Sequence, residues 1–196
     1  MKPKTRYNIG LAQRRGVLVR AAGATDLSDF YALLEETAKR DRFYIRPLSY
    51  YADVLEAFGD DAALLVAEHD GQLLAGVIIV AFGRQAAYLY GASSGEQRNL
   101  MPTYLLQWEG MAWASKRGCR QYDLWGIPKE ALADGGHEGR EDGLWGVYRF
   151  KQGFGGEPVG YAGAFDYVYA PLHYQLWQRL VPLAQRFLGL RADVAR

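Results

Sequence analysis

Cysteine is almost missing from this 196-residue chain: Cys119 stands alone. No internal disulfide can form, and such usage fits a reducing compartment. Cys119 reads as a small residue between a helix and a strand rather than as a nucleophile. Histidine is scarce as well. His69 precedes a turn, His137 lies in a glycine-rich loop and His173 stands apart, so no Cys/His/Asp group has metal-site spacing. No apolar run approaches the ~18 residues that span a bilayer. The basic N-terminus has no apolar stretch behind it and is not a secretory signal. These absences point to the cytoplasm. A net charge of +1 gives no global field to attract nucleic acid, and no Walker loop is present.

What is present is the balance of a globular protein with a core: 49% hydrophobic and 23% charged residues. A chain of this size buries most of its apolar surface without staples. Tyrosine is abundant and often sits beside glycine, as in Tyr88-Leu89-Tyr90-Gly91. That pattern suits a cleft with polar-tipped walls; core packing is the competing account. Lys2, Lys4, Arg6, Arg14, Arg15 and Arg20 form a run without Asp or Glu. It reads either as a local RNA contact or as a solvated basic helix.

Patterning predicts a short basic helix over 5–15 and a strand at Val17-Leu18-Val19. Thr25 is the expected N-cap of a helix carrying Leu27, Phe30, Tyr31, Leu34 and Ala38 at helical spacing. Pro47 opens a second helix. Three β-rich runs follow, 62–67, 73–82 and 85–90, joined by turns at Asp70-Gly71 and Gly83-Arg84. A helix is expected over about 99–116, with Leu100, Tyr104, Trp108, Met111 and Ser115 on one face. Tyr122-Asp123-Leu124-Trp125 reads as a strand and 128–141 as a polar loop. Residues 144–152 form a short helix and 159–169 a long strand. Pro171 begins a last helix bearing Leu172, Leu176, Leu180 and Leu183, with a kink or break at Pro182. The order implies a central mixed, mostly antiparallel sheet flanked by helices, an α/β (α+β) arrangement. It matches the GNAT acyltransferase architecture.

One run stands out: Gly143-Leu144-Trp145-Gly146-Val147-Tyr148-Arg149-Phe150-Lys151-Gln152-Gly153-Phe154-Gly155-Gly156, followed by Tyr161 and Asp166-Tyr167-Val168-Tyr169. Others are Tyr88-Leu89-Tyr90-Gly91-Ala92-Ser93-Ser94, Tyr122-Asp123-Leu124-Trp125-Gly126-Ile127 and Arg46-Pro47-Leu48-Ser49-Tyr50-Tyr51. These segments, the first most specifically, resemble the Fem family (FemA/FemB/FemX-like) of peptidoglycan interpeptide-bridge enzymes. The resemblance covers nearly the whole chain but half of a typical member, the second of two GNAT-like domains. Residues 1–16 are then an interdomain-like lead-in helix and 17–196 the domain itself.

The resemblance implies transfer of an amino acid from aminoacyl-tRNA to the stem peptide of a peptidoglycan precursor, UDP-linked or lipid-linked, with no cofactor. It implies peripheral membrane contact, and completion of the cleft by a first domain or by a second copy. Phe150 and Lys151 are its implied catalytic pair, and Arg46 and Tyr50 its implied diphosphate and sugar contacts. A lysine at a helix end beside a glycine-rich turn suits an oxyanion or an RNA terminus; a surface lysine favoured by the helix dipole is the plainer account. Arg46 and Tyr50 face the same way if the helix extends back to Arg46. Tyr90 is expected to line the same cleft, with Tyr88 on the same face at period two. Asp123, Asp166 and Glu109 are carboxylates that no spacing marks as a base.

Two other readings compete. An acyl-CoA N-acyltransferase would carry a Gln/Arg-x-x-Gly-x-Gly/Ala phosphate loop; here Gln97 and Arg98 are followed by Leu100 and Met101 where glycines are needed. A non-catalytic binding or assembly domain would expose an apolar docking patch.

Overall fold

The computed structural model describes residues 1–23, 25–132 and 144–187. The chain forms two units, residues 1–158 and 159–196. In the first, a five-stranded sheet runs in the order β1 (Leu18–Ala21), β2 (Ala62–His69), β3 (Gln72–Phe82), β4 (Gln85–Ser93), β5 (Gln121–Asp123). β1 to β4 are antiparallel and β5 lies parallel to β4. The β2–β3 turn is made by Asp70 and Gly71, at φ +49° and +76°. Two left-handed residues match the twist of the strands they join.

Helices cover both faces. α1 (Pro3–Arg14) and α4 (Pro102–Lys116) lie on one, α2 (Asp26–Asp41) and α3 (Leu48–Phe58) on the other. β3 therefore buries every residue from Leu74 to Ala81, as a strand covered on both sides must. Ile9, Ala12, Leu65, Val77, Ile79 and Leu106 fill the first face; Phe30, Leu34, Tyr51, Val66 and Ile78 fill the second. Phe30 is fully buried, and its ring occupies the space above Gly76, where a Cβ would lie 2.5 Å from Cδ2. A ring buried to this extent contributes about 3–5 kcal/mol relative to alanine.

Several expectations are corrected. Thr25 makes no side-chain cap; the Asp26 carboxylate accepts the Gly23 N–H at 2.7 Å and pairs with Arg20. Arg20, and then that N–H, hold the Asp26 carboxyl at about 2. α3 begins at Leu48, leaving Arg46 outside it. Arg98–Leu100 is a 3-10 turn and α4 starts only at Pro102. Trp108, expected on the inner face, is exposed, and Gln107 is buried instead. Part of the 128–141 loop is a 3-10 turn, Lys129–Leu132, and 133–143 lies outside the described residues.

In the second unit, residues 159–169 form no strand. Alternation suits a pleated surface, but a strand exists only through a ladder partner, and none pairs here among the described residues. α6 (Pro171–Phe187) continues across Pro182, so of the kink or break expected there the break does not occur. Leu172, Leu176, Leu180 and Leu183 are exposed on it. No helix among the described residues is long and apolar enough to cross a membrane.

Candidate functional site

The site is organised by an irregularity in β4. Ile78 pairs with Tyr90 but Ile79 pairs with Tyr88, so Leu89 is an extra residue, a β-bulge. Period-two alternation is broken there. Tyr88 packs with the cluster on the α1/α4 face and Tyr90 with the cluster on the α2/α3 face. The expectation that the two share a face is corrected by this one inserted residue.

On the α2/α3 face the structure brings Arg46, Tyr50 and Tyr90 together. The Tyr50 and Tyr90 hydroxyls lie 3.1 Å apart, and the Arg46 guanidinium sits 5.8 Å from the Tyr50 ring centre. Buried Tyr51, unremarked as a site residue in the sequence, is the anchor. Its hydroxyl accepts the Arg46 N–H at 3.2 Å, and its ring meets that of Tyr90 edge-on at 5.0 Å. Arg46 is thus placed by its backbone and by Tyr51, not by helical spacing. Burial, and then the Tyr50 hydroxyl, push the Tyr90 phenol well above its ordinary range.

Phe150 and Lys151 lie on the other side. α5 (Trp145–Gly153) buries Trp145, Tyr148 and Lys151 at intervals of three, so the lysine is on the inward face. A buried lysine needs a partner. β4 and β5 pair only over Gln85–Ala87 and Gln121–Asp123. Beyond that, Asp123 accepts the Trp125 N–H at 2.7 Å and Trp125 turns the chain at φ +64°. The strands diverge, and the Gly126 carbonyl accepts the Lys151 ammonium at 2.6 Å. The Tyr88 ring centre is 5.9 Å from Nζ. Burial lowers the Lys151 pKa to about 8, with Asp123 opposing. The group remains mostly cationic at pH 7. Gly126 is its acceptor among the described residues, which leaves two of three N–H donors for a ligand.

Phe150 packs edge-on against Tyr104 at 5.0 Å and Phe154 at 5.2 Å. Two of the glycines after Lys151, Gly153 and Gly155, are required by the fold itself. A Cβ on Gly153 would meet Thr5 Oγ1 at 2.5 Å, and Gly155 has φ +84°. Asp123, Tyr88 and the Gly126 carbonyl complete the lysine's surroundings. The bulge and the strand divergence that unite them have no signal in the sequence.

Other chemistries find little footing. Gly91-Ala92-Ser93-Ser94-Gly95 has Gly-x-Ser-x-Gly spacing, but Ser93 ends β4, pairs through its backbone with Thr37 and lies 3.4 Å from the Arg40 guanidinium. A guanidinium is a cation and not a base, so the contact that this hydroxyl makes among the described residues does not activate it. Before α4, Met101 is left-handed and Pro102 occupies the first turn. Proline offers no N–H, so this helix start is a poor cradle for a pyrophosphate. No group of three or more His, Cys, Asp or Glu could hold a metal among the described residues.

Residues 1–72 and 68–181 match the model of the FemAB family. The chain belongs to the FemAB family. It is 32% identical over 171 residues to the UDP-N-acetylmuramoylpentapeptide-lysine N(6)-alanyltransferase of Weissella viridescens, covering 86% of this chain and 47% of that one. It is 24% identical over 243 residues to the Lipid II:glycine glycyltransferase of Staphylococcus saprophyticus, covering 91% and 57%. The chain spans about half the length of these curated relatives. The crystal structure of FemX superposes with a TM-score of 0.77 at 22% identity, over 89% of this chain and 59% of that one. A possible acetyltransferase from Clostridium difficile superposes at 0.56 with 12% identity, over 79% and 98%. This FemAB chain therefore has the GNAT-like fold.

Proposed function

We propose that this chain takes part in transferring an amino acid from aminoacyl-tRNA to an amine on the stem peptide of a peptidoglycan precursor. The observation that carries the reading is a buried cation, Lys151, set in the divergence of β4 and β5 in a chain of the FemAB family. The named activities of its relatives support it. It is a reaction of the cytoplasm or its membrane surface, and the acceptor is a UDP-linked or lipid-linked muropeptide. A first domain, or a second copy of the chain, completes the cleft.

The chemistry is aminolysis of an ester. The neutral amine attacks the carbonyl carbon, the oxygen takes the negative charge, and the ribose oxygen leaves with the proton lost by nitrogen. Lys151 faces the developing oxyanion. A fixed charge in a water-poor site stabilises it without reorganisation. Phe150, held by Tyr104 and Phe154, borders the acceptor terminus. Arg46, Tyr50 and Tyr90 hold the diphosphate and sugar, for which a guanidinium is well matched.

The test is transfer of labelled amino acid from charged tRNA to a UDP-muropeptide across pH. A rising limb reports the attacking amine. A falling limb near pH 8 reports loss of the Lys151 cation. Lys151→Ala abolishes transfer with the fold intact. Lys151→Arg, which stays charged, removes the falling limb. Full activity in Lys151→Ala overturns the assignment.

A further inference from the structure

We propose that Tyr88 is a second hydrogen-bond donor to the oxyanion beside Lys151, in the gap where β4 and β5 diverge. The proposal rests on the acyl-transfer reading above and adds a residue to it.

Three observations carry it. The first is position. The bulge at Leu89 turns Tyr88 onto the face that holds α5, and its ring lies under the Lys151 ammonium, 5.9 Å from ring centre to Nζ. The second is direction. A Cβ on Gly91 would collide with the Tyr88 hydroxyl and ring, so the side chain lies along β4 over Gly91, past the point where β5 stops pairing. The third is an unused donor. Among the described residues the Tyr88 hydroxyl has no hydrogen-bond partner. The neighbouring phenol of Tyr122 donates instead to Gln107, at 3.1 Å.

A phenylalanine would fill the same volume and press on the same glycine without presenting a hydroxyl. Tyr88 is half-buried, and a phenol that commits its donor to no described residue, beside a cation, is placed to meet an oxygen that arrives with a ligand. Desolvation pushes its pKa up to about 12, so it remains a donor throughout the working range. As the amine forms its C–N bond, the carbonyl electron pair moves to oxygen. That oxygen accepts from Tyr88 Oη and Lys151 Nζ. Collapse returns the pair, breaks the ester C–O bond and releases the ribose oxygen with the proton. Tyr88 keeps its proton throughout.

The experiment uses the full chain, with Tyr88→Phe and Lys151→Met as variants. The probes are two mimics of the aminoacylated terminal adenosine: a tetrahedral phosphonate and a planar amide. Loss of one oxyanion donor costs about 10²–10³-fold in rate in other acyl transfers. Tyr88→Phe is therefore expected to weaken phosphonate binding about 10- to 100-fold and to leave amide binding within about twofold. In the transfer assay its kcat falls, while KM for the muropeptide and the falling limb near pH 8 stay unchanged. Wild-type binding of both probes by Tyr88→Phe, with phosphonate binding lost in Lys151→Met, overturns the role of Tyr88 and leaves the acyl-transfer reading standing. A wild-type chain that binds neither mimic overturns the reading itself.

Discussion

Replacing Lys151 by methionine separates what this residue costs the fold from what it does. Burial lowers its pKa from 10.5 to about 8. At 1.36 kcal/mol per pH unit, that gap is about 3 kcal/mol. The sign follows from proton counting. Below pH 8 both native and unfolded chains hold the proton, and the native state bears the full cost of a desolvated cation. Between about 8 and 10.5 the unfolded chain keeps the proton and the native chain has lost it, so native stability rises with pH. Methionine has a similar length and no charge, so it lacks this rise. It also leaves the Gly126 carbonyl without its donor, at about 1–3 kcal/mol. At pH 7 the variant is therefore between equal to wild type and about 2 kcal/mol more stable. The difference between the proteins shifts by about 3 kcal/mol in favour of wild type as pH climbs to 10.5. Tyrosines that titrate at the upper end are common to both chains and cancel. Urea unfolding followed by far-ultraviolet circular dichroism, at half-unit steps from pH 7 to 10.5, measures it. Stability profiles that stay parallel would refute the reasoning, because they would mean that Lys151 is solvated in the native protein.

The other expectations follow from close contacts and from the proposed roles. Gly110→Ala places a Cβ 2.6 Å from Ile79 Cδ1 and 2.9 Å from the Tyr122 hydroxyl. It should lower stability by about 1–3 kcal/mol; an unchanged urea midpoint would show that α4 is not held this close to the sheet. Arg46→Ala and Tyr50→Phe should raise KM for the muropeptide, about tenfold for the arginine, with kcat largely kept. A fall in kcat alone would move them out of the binding group. Acetyl-CoA should give no saturable heat in titration calorimetry, because Met101 and Pro102 replace the phosphate cradle. Tight binding would revive the acyl-CoA alternative.

The parts of the fold that could be read in advance are those decided within a few residues. Asp70-Gly71 sets the β2–β3 hairpin by its own backbone angles, and the i, i+4, i+8 spacing of Phe30, Leu34 and Ala38 buries that face of α2 wherever it docks. What escaped depends on partners distant in the chain. Trp108 rather than Gln107 was the natural inner residue of α4. Yet this helix packs on α1 as well as on the sheet, so its buried surface is wider than one stripe, and Gln107 finds Tyr122 there. Residues 159–169 alternate like a strand and have nothing to pair with among the described residues. The glycines after Lys151 looked like room for a ligand; at Gly153 the room is taken by Thr5, from the other end of the unit. Lys151 was identifiable through its motif, but not as a buried cation, because burial comes from β5, the turn at Trp125 and the ring of Tyr88.

Leu89 shows how little change in a strand is needed to divide a site. Without the extra residue, Tyr88 and Tyr90 would face one way, and one of the two aromatic groups would lose its tyrosine. With it, Tyr90 joins Tyr50 and Tyr51 on the α3 side, and Tyr88 lies under Lys151 on the α5 side. The sheet stands between the two groups. Any ligand touching both must pass round the edge of β4 beyond Ala87, where pairing with β5 has ended. The proposed two-substrate transfer would use that layout: the acceptor's diphosphate end would be held on one face, and its reactive amine would come round the strand to the ester on the other. On that proposal the bulge and the early end of β5 act as one arrangement, since a longer β5 would pair along the edge that such a substrate has to pass.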